Sequence, residues 1–273
     1  MLPRRAFGTS GITHGVLVFG SMRLASARLT LTEAELLLGF LVDAGVDTFH
    51  SSHEYDTHPF FCEVLKRIRP LAPLHVVKLG EPHFDERRFR RERFIALVEQ
   101  ELQALGTERI AIVQWLLRAK PNIDAVRLPL LHECIADVED TFTRLRDQGK
   151  VGALAVFPYT PAVAEFCLGR PSCAGLVSYL NLAETEMLPY LTGMQIRGQA
   201  MLAIRPLAAG TLLDTAGPAG RNFADLCTQN CIPAESRLQF ALRWPLAQPA
   251  VSGVVLSISS LAHAQAAVAA LSL

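Results

Sequence analysis

Val46-Asp47-Thr48-Phe49-His50-Ser51-Ser52-His53-Glu54-Tyr55 is the stretch that decides the fold. Val46, Thr48 and His50 alternate with Asp47 and Phe49, and β-branched residues favour an extended chain. The stretch begins as a buried strand and ends in small and ionisable groups. Helical patterns flank it on both sides. Such a strand end reads as the mouth of an α/β barrel, where strand termini deliver side chains to one pocket.

Working outward, apolar extended runs recur at 15–20, 46–50, 74–79, 110–117, 153–157, 176–180, 201–205 and 251–257. Each is followed by a segment able to form a helix, which predicts a parallel sheet covered by helices. Thr32-Glu33-Ala34-Glu35 reads as a capping box opening one helix. Phe94, Leu97, Val98, Leu102 and Leu105 recur at helical spacing before Gly106. Val138, Phe142 and Leu145 do the same before Gly149, and Leu238, Ala241 and Leu242 form another stripe. Phe19-Gly20-Ser21-Met22-Arg23 carries one glycine where an open dinucleotide-binding sheet needs three, so a closed barrel is favoured.

The chain has 273 residues, half of them apolar, and no formal net charge. One barrel domain, 1–273, accounts for that length. Neutrality gives no drive toward nucleic acid or an anionic membrane, and no apolar run is long enough to span one. No signal peptide is legible, and the six scattered cysteines suit a reduced, cytoplasmic protein. Cys227 and Cys231 are spaced to share a helix face, but two thiols alone make a poor zinc site. His50, His53, His58 and Asp56 fit no single strand or helix face, so no metal site is expected. Arg87-Arg88-Phe89-Arg90-Arg91-Glu92-Arg93 reads as a solvated helix face.

With these elements placed, the chain resembles the aldo-keto reductase family over nearly its whole length. The resemblance rests on Phe7-Gly8-Thr9-Ser10-Gly11-Ile12, Phe19-Gly20-Ser21-Met22, the segment Leu41 to Phe49, the segment Gly149 to Val156, and Arg205-Pro206-Leu207-Ala208-Ala209-Gly210-Thr211-Leu212. It implies a (β/α)8 TIM barrel and NADPH-dependent carbonyl reduction. In that reaction a tyrosine gives the proton, a lysine lowers its pKa, an aspartate holds the lysine and a histidine orients the carbonyl. Tyr55 falls on the tyrosine and Lys78 on the lysine; His50 takes the aspartate's place and Leu116 the histidine's.

The implied cofactor positions differ as well. Phe157-Pro158 stands for a Ser-Asn pair and Val177 for a glutamine. Ser259 occupies the phosphate position, with His263 and Ala267 on the adenine side. A dianionic phosphate wants cationic or charge-assisted donors, which serine is not.

The expected site is therefore an acid–base pair, Tyr55 and Lys78, with His50 beside it. A nearby ammonium should lower the tyrosine pKa; without the aspartate, either Lys78 should lose its proton more readily or Glu54 or Asp56 should compensate. Ser21, Met22, Glu54, Arg118 and Tyr159 are the candidate substrate contacts. Arg118 sits on the Leu116 face of its strand and reads either as an anion ligand or as a surface loop residue. His50 equally reads as a bonded core histidine, and Tyr55 with Lys78 as packing at the mouth. The favoured expectation is a cofactor-independent enzyme performing isomerisation, dehydration or cyclisation on a small polar metabolite. The alternatives are a divergent NAD(P)H oxidoreductase and a non-catalytic partner subunit. In the oxidoreductase, Ser21, Arg205, Leu207, Gly210, Ser257 and Ser259 would hold NADPH.

Overall fold

The computed structural model describes residues 2–24, 29–84 and 86–272. An N-terminal hairpin pairs β1 (Arg4–Ala6) with β2 (Thr13–Gly15). Eight parallel strands then close a barrel: β3 (Leu17–Gly20), β4 (Thr48–Ser51), β5 (Leu74–Gly80), β6 (Ile110–Leu116), β7 (Val151–Val156), β8 (Cys173–Tyr179), β9 (Ala200–Ile204) and β10 (Val251–Ser257). Neighbours follow chain order, and β10 pairs with both β9 and β3. Every expected strand is present, shifted by at most a few residues at its ends.

Helices cover the barrel: α1 (Leu31–Asp43), α2 (His58–Ile68), α3 (Arg91–Leu105), α4 (Asp124–Asp147), α5 (Pro161–Leu168), α6 (Leu188–Ile196), α7 (Pro218–Gln229), α8 (Arg237–Leu246) and α9 (Leu261–Leu271). The capping box exists two residues earlier than expected. Thr30 accepts from the Glu33 amide, and Glu33 accepts from the Thr30 amide. Thr30 has the extended backbone a cap requires, whereas Thr32 already lies inside α1. Gly106 ends α3 in the left-handed conformation at φ 65°. Cys231 lies beyond α7 and is exposed, so it shares no helix face with buried Cys227. In the basic run, Arg90 and Arg93 pair with Glu81 and Glu86, and Arg91 with Asp137 and Asp140. Only its last three residues are helical.

Two cores follow from the alternation of the strands. Outward residues such as Phe49, Val77, Val113, Trp115 and Met201 pack under the helices. Inward residues Val18, Val76, Ile112, Ala155, Val177, Leu202 and Val255 fill the barrel, and Phe7 and Ile12 of the hairpin join them. Two residues further along the same strands lie Gly20, Lys78, Gln114, Tyr179, Ile204 and Ser257, all of which line a cavity. The apolar filling thus gives way, one interior layer higher, to a polar and aromatic floor. Among the described residues no helix is long and apolar enough to cross a membrane.

Candidate active site at the barrel mouth

The cavity above that floor has a volume of about 560 Å³. Tyr55, Lys78, His50 and Gln114 line one side of it; Arg205, Gly210, Ser259 and Ala267 line the other. Tyr55 and Lys78 therefore share one chamber.

The loop from β4 to α2 carries Tyr55 and is fastened at several points. Ser52 Oγ donates to the Lys78 carbonyl at 3.0 Å, and Thr57 Oγ1 donates to the Ser21 carbonyl at 2.9 Å. Behind the loop, buried Glu101 of α3 meets His53 at 3.4 Å and His58 at 3.3 Å, one from each end. Burial alone would lower the His58 pKa, but Cys62 and the Glu101 carboxylate raise it to about 9. His53 and His58 thus both meet Glu101, and Asp56 is exposed.

Lys78 Nζ lies over the Tyr55 ring, 4.4 Å from its centroid, and pairs with Glu54 Oε2 at 3.1 Å. Glu54 is thus the carboxylate that meets Lys78. Its carboxylate also receives a two-pronged fork from Arg118. Burial pushes the Glu54 pKa up, but the Arg118 hydrogen bonds and the two cations outweigh it, and the group stays ionised. Burial lowers the Lys78 pKa more than Glu54 restores it. Arg118 is no surface residue: it is buried, its guanidinium stands 5.0 Å over the Phe84 ring, and it bonds Tyr159. Because its fork is spent on Glu54, it acts first as a brace and not as an anion clamp.

The expectation of an acidified tyrosine is overturned. Burial, reinforced by the Glu54 charge, raises the Tyr55 pKa above its ordinary value. Lys78 faces the ring and spends its hydrogen bond on Glu54, so the hydroxyl stays protonated across the physiological range.

His50 is neutral. Burial lowers its pKa to about 4, with a hydrogen bond to Gln114 opposing and Lys78 assisting. Gln114 Nε2 donates to the Val177 carbonyl at 3.1 Å, which turns Gln114 Oε1 toward His50 Nε2 at 2.6 Å. A carbonyl only accepts, so Gln114 must present its oxygen and His50 must carry its proton on Nε2. Register adds a residue that the strand's own sequence did not single out. Lys78 pairs with Gln114, and Leu116 pairs with Gly80. The side chain level with the lysine is therefore Gln114, and Leu116 lines the wall one layer above. A lone amide in the apolar run Ile110-Ala111-Ile112-Val113-Gln114-Trp115 was the available signal.

On the far side, Phe157 packs edge-on against Tyr159 at 4.7 Å and Tyr179 at 5.2 Å. Arg205 lies 4.7 Å over the Tyr179 ring and pairs with Glu184 at 3.2 Å. Tyr179 was not anticipated. Leu207, Gly210, Ser257 and Ser259 line the cavity as expected, as does Met22. Ser21 does not: it is fully buried, its carbonyl bonds Thr57, and its hydroxyl has no partner among the described residues.

The match to known proteins follows the same lines. The model of the aldo/keto reductase family matches residues 16–273. The chain belongs to the aldo/keto reductase family. Its fold is shared with aldo-keto reductase AKR11C1 from Bacillus halodurans in its holo form, at 18% identity, covering 100% of this chain and 92% of that one, with a TM-score of 0.76. The apo form of the same enzyme gives a TM-score of 0.78 at 18% identity, covering 100% and 91%. The thermostable aldo-keto reductase Tm1743, in complex with the inhibitor epalrestat, gives 0.73 at 18% identity, covering 100% and 95%. No curated sequence matches the chain closely enough to count as a relative.

A dinucleotide can be tested against this cavity. Ala209, Gly210, Ala266 and Ala267 keep its far end open. Ser260 caps α9 by accepting from the His263 amide, which leaves the other first-turn amides of α9 without helical acceptors. Arg205 supplies a cation midway. The first-turn amides of α9 suit the group's phosphates, while the residue at 259 is a serine and brings no charge.

Proposed function

We propose that this family member is a nicotinamide-dependent carbonyl reductase with Tyr55 as proton donor. A protonated phenol beside an ammonium, in a chamber that runs on to the amides of α9, carries the reading. The cofactor, held along Arg205, Leu207, Gly210, Ser257 and Ser259, supplies the hydride when bound. Tyr55 Oη gives its proton to the carbonyl oxygen as that oxygen gains charge. A raised phenol pKa still lies well below that of an alcohol, so the transfer runs downhill. Lys78 stabilises the resulting phenolate through the ring face, and cavity water restores its proton. Glu54 and Arg118 hold Lys78 in place. Carbonyl-dependent loss of absorbance at the reduced-nicotinamide band, screened with NADH and NADPH, is the expected result. Loss that is independent of the carbonyl, or absent with both cofactors, contradicts it.

A second reading is favoured by the far wall, where Phe157 offers no polar grip and Ser259 no charge. There the enzyme needs no cofactor, and Tyr55 with His50 moves protons in an isomerisation or dehydration. It predicts product from substrate alone, which the first reading does not.

A further inference from the structure

We infer that the site selects α-hydroxycarbonyl compounds over plain carbonyls, with His50 as the residue that reads the hydroxyl. The inference rests on the reductase reading for its chemistry and on separate geometry for its selectivity.

The geometry starts from Gln114. Its amide is fixed by the Val177 carbonyl, so its oxygen faces His50 and takes the Nε2 proton. The other ring nitrogen, Nδ1, is left as a lone pair. It makes no hydrogen bond among the described residues, and His50 lines the cavity. The Tyr55 ring stands next to it, with centroids 6.4 Å apart. One wall of the chamber thus offers a hydroxyl donor and a fixed acceptor side by side.

A substrate that fits both must carry an acceptor and a donor close together. A carbonyl oxygen satisfies Tyr55, and a hydroxyl on the neighbouring carbon satisfies His50. A plain ketone displaces water from Nδ1 and gives nothing back, which leaves a desolvated acceptor unpaired. An ammonium donor is disfavoured, because Lys78 and Arg118 outnumber Glu54 by one positive charge in the same cluster. A neutral hydroxyl carries no such penalty. The aromatic wall of Phe157, Tyr159 and Tyr179 accepts the carbon skeleton without adding a competing anion clamp. Gln114 acts here as a positioning residue, through the tautomer it imposes.

The test compares hydroxyacetone with methoxyacetone, which keeps the electron-withdrawing oxygen and lacks the donor. Wild type is expected to show kcat/KM at least about tenfold higher for hydroxyacetone. In His50→Phe the ratio should fall to within about twofold. Nitrogen NMR of the wild type gives a second readout: His50 Nδ1 should shift on adding hydroxyacetone and not methoxyacetone. A ratio near one in wild type, or one unchanged in His50→Phe, overturns the inference while leaving the reductase reading intact. Absence of turnover together with the hydroxyl-dependent shift sinks the reductase reading and keeps the selectivity. Absence of both sinks both. Should His50→Phe fail to fold, the wild-type ratio and the NMR shift still decide.

Discussion

The two sides of the mouth cavity are built differently. The wall from β4 to β6 is dense with charge: Glu54 holds Lys78 and Arg118 at once, and Gln114 fixes His50. The wall from β7 to β10 is aromatic or small: Phe157, Tyr179, Ala209, Ser257, Ser259 and Ala267, with Arg205 as a cation shared with Glu184. Both rise from the same barrel layer, so the scaffold does not impose the difference. Proton chemistry needs fixed partners within hydrogen-bond reach, and a lost partner leaves a buried charge uncompensated. A long ligand spreads its binding over many weak contacts and tolerates the loss of several. The charged wall is accordingly braced and the other thinned.

Tyr55→Phe attacks the braced wall hardest. It removes the proton and keeps the ring under Lys78, so kcat/KM should fall about a thousandfold while circular dichroism stays unchanged. Acid comes next. His50 is held near pKa 4, below the roughly 6.5 of an unfolded chain, so the unfolded state takes the proton first. Stability should therefore decline as pH falls from about 6.5 to about 4, by on the order of 3 kcal/mol. His50→Phe should lose less over that window in urea titrations, with the equally low His75 contributing the same to both proteins. Glu54→Gln keeps the shape and deletes the charge. It should cost about 2 kcal/mol in denaturant unfolding, less than for a fully buried pair because Glu54 is partly exposed. Last, Ser259→Arg grafts a cation onto the thinned wall. It should tighten NADPH about tenfold in a fluorescence titration and leave NADH nearly unchanged. An equal gain for both would erase the proposed contrast between the walls.

Much of this was legible before any coordinates. Apolar strands alternating with striped, glycine-stopped helices gave a helix-covered parallel sheet, and the single glycine after the first strand together with the family resemblance gave its closure. That Tyr55, Lys78 and His50 share one cavity was legible because they stand near the C-terminal ends of their strands or in the loop that follows. Three matters were not. Which of Gln114 or Leu116 stands level with Lys78 is a question of interstrand register, and a single strand's sequence carries no register. The direction of the Tyr55 pKa depended on its burial and on the Glu54 charge brought beside it by the fold. The burial of Arg118 depended on Glu54, sixty-four residues away in the chain, reaching it across the barrel mouth. Each is a long-range contact that local pattern does not encode.

Calorimetric titration of the wild-type protein with NADH and with NADPH tests the central claim most directly. The account predicts saturable one-to-one binding of at least one of them, in the micromolar range. No saturable heat from either cofactor, up to millimolar concentration, would contradict it.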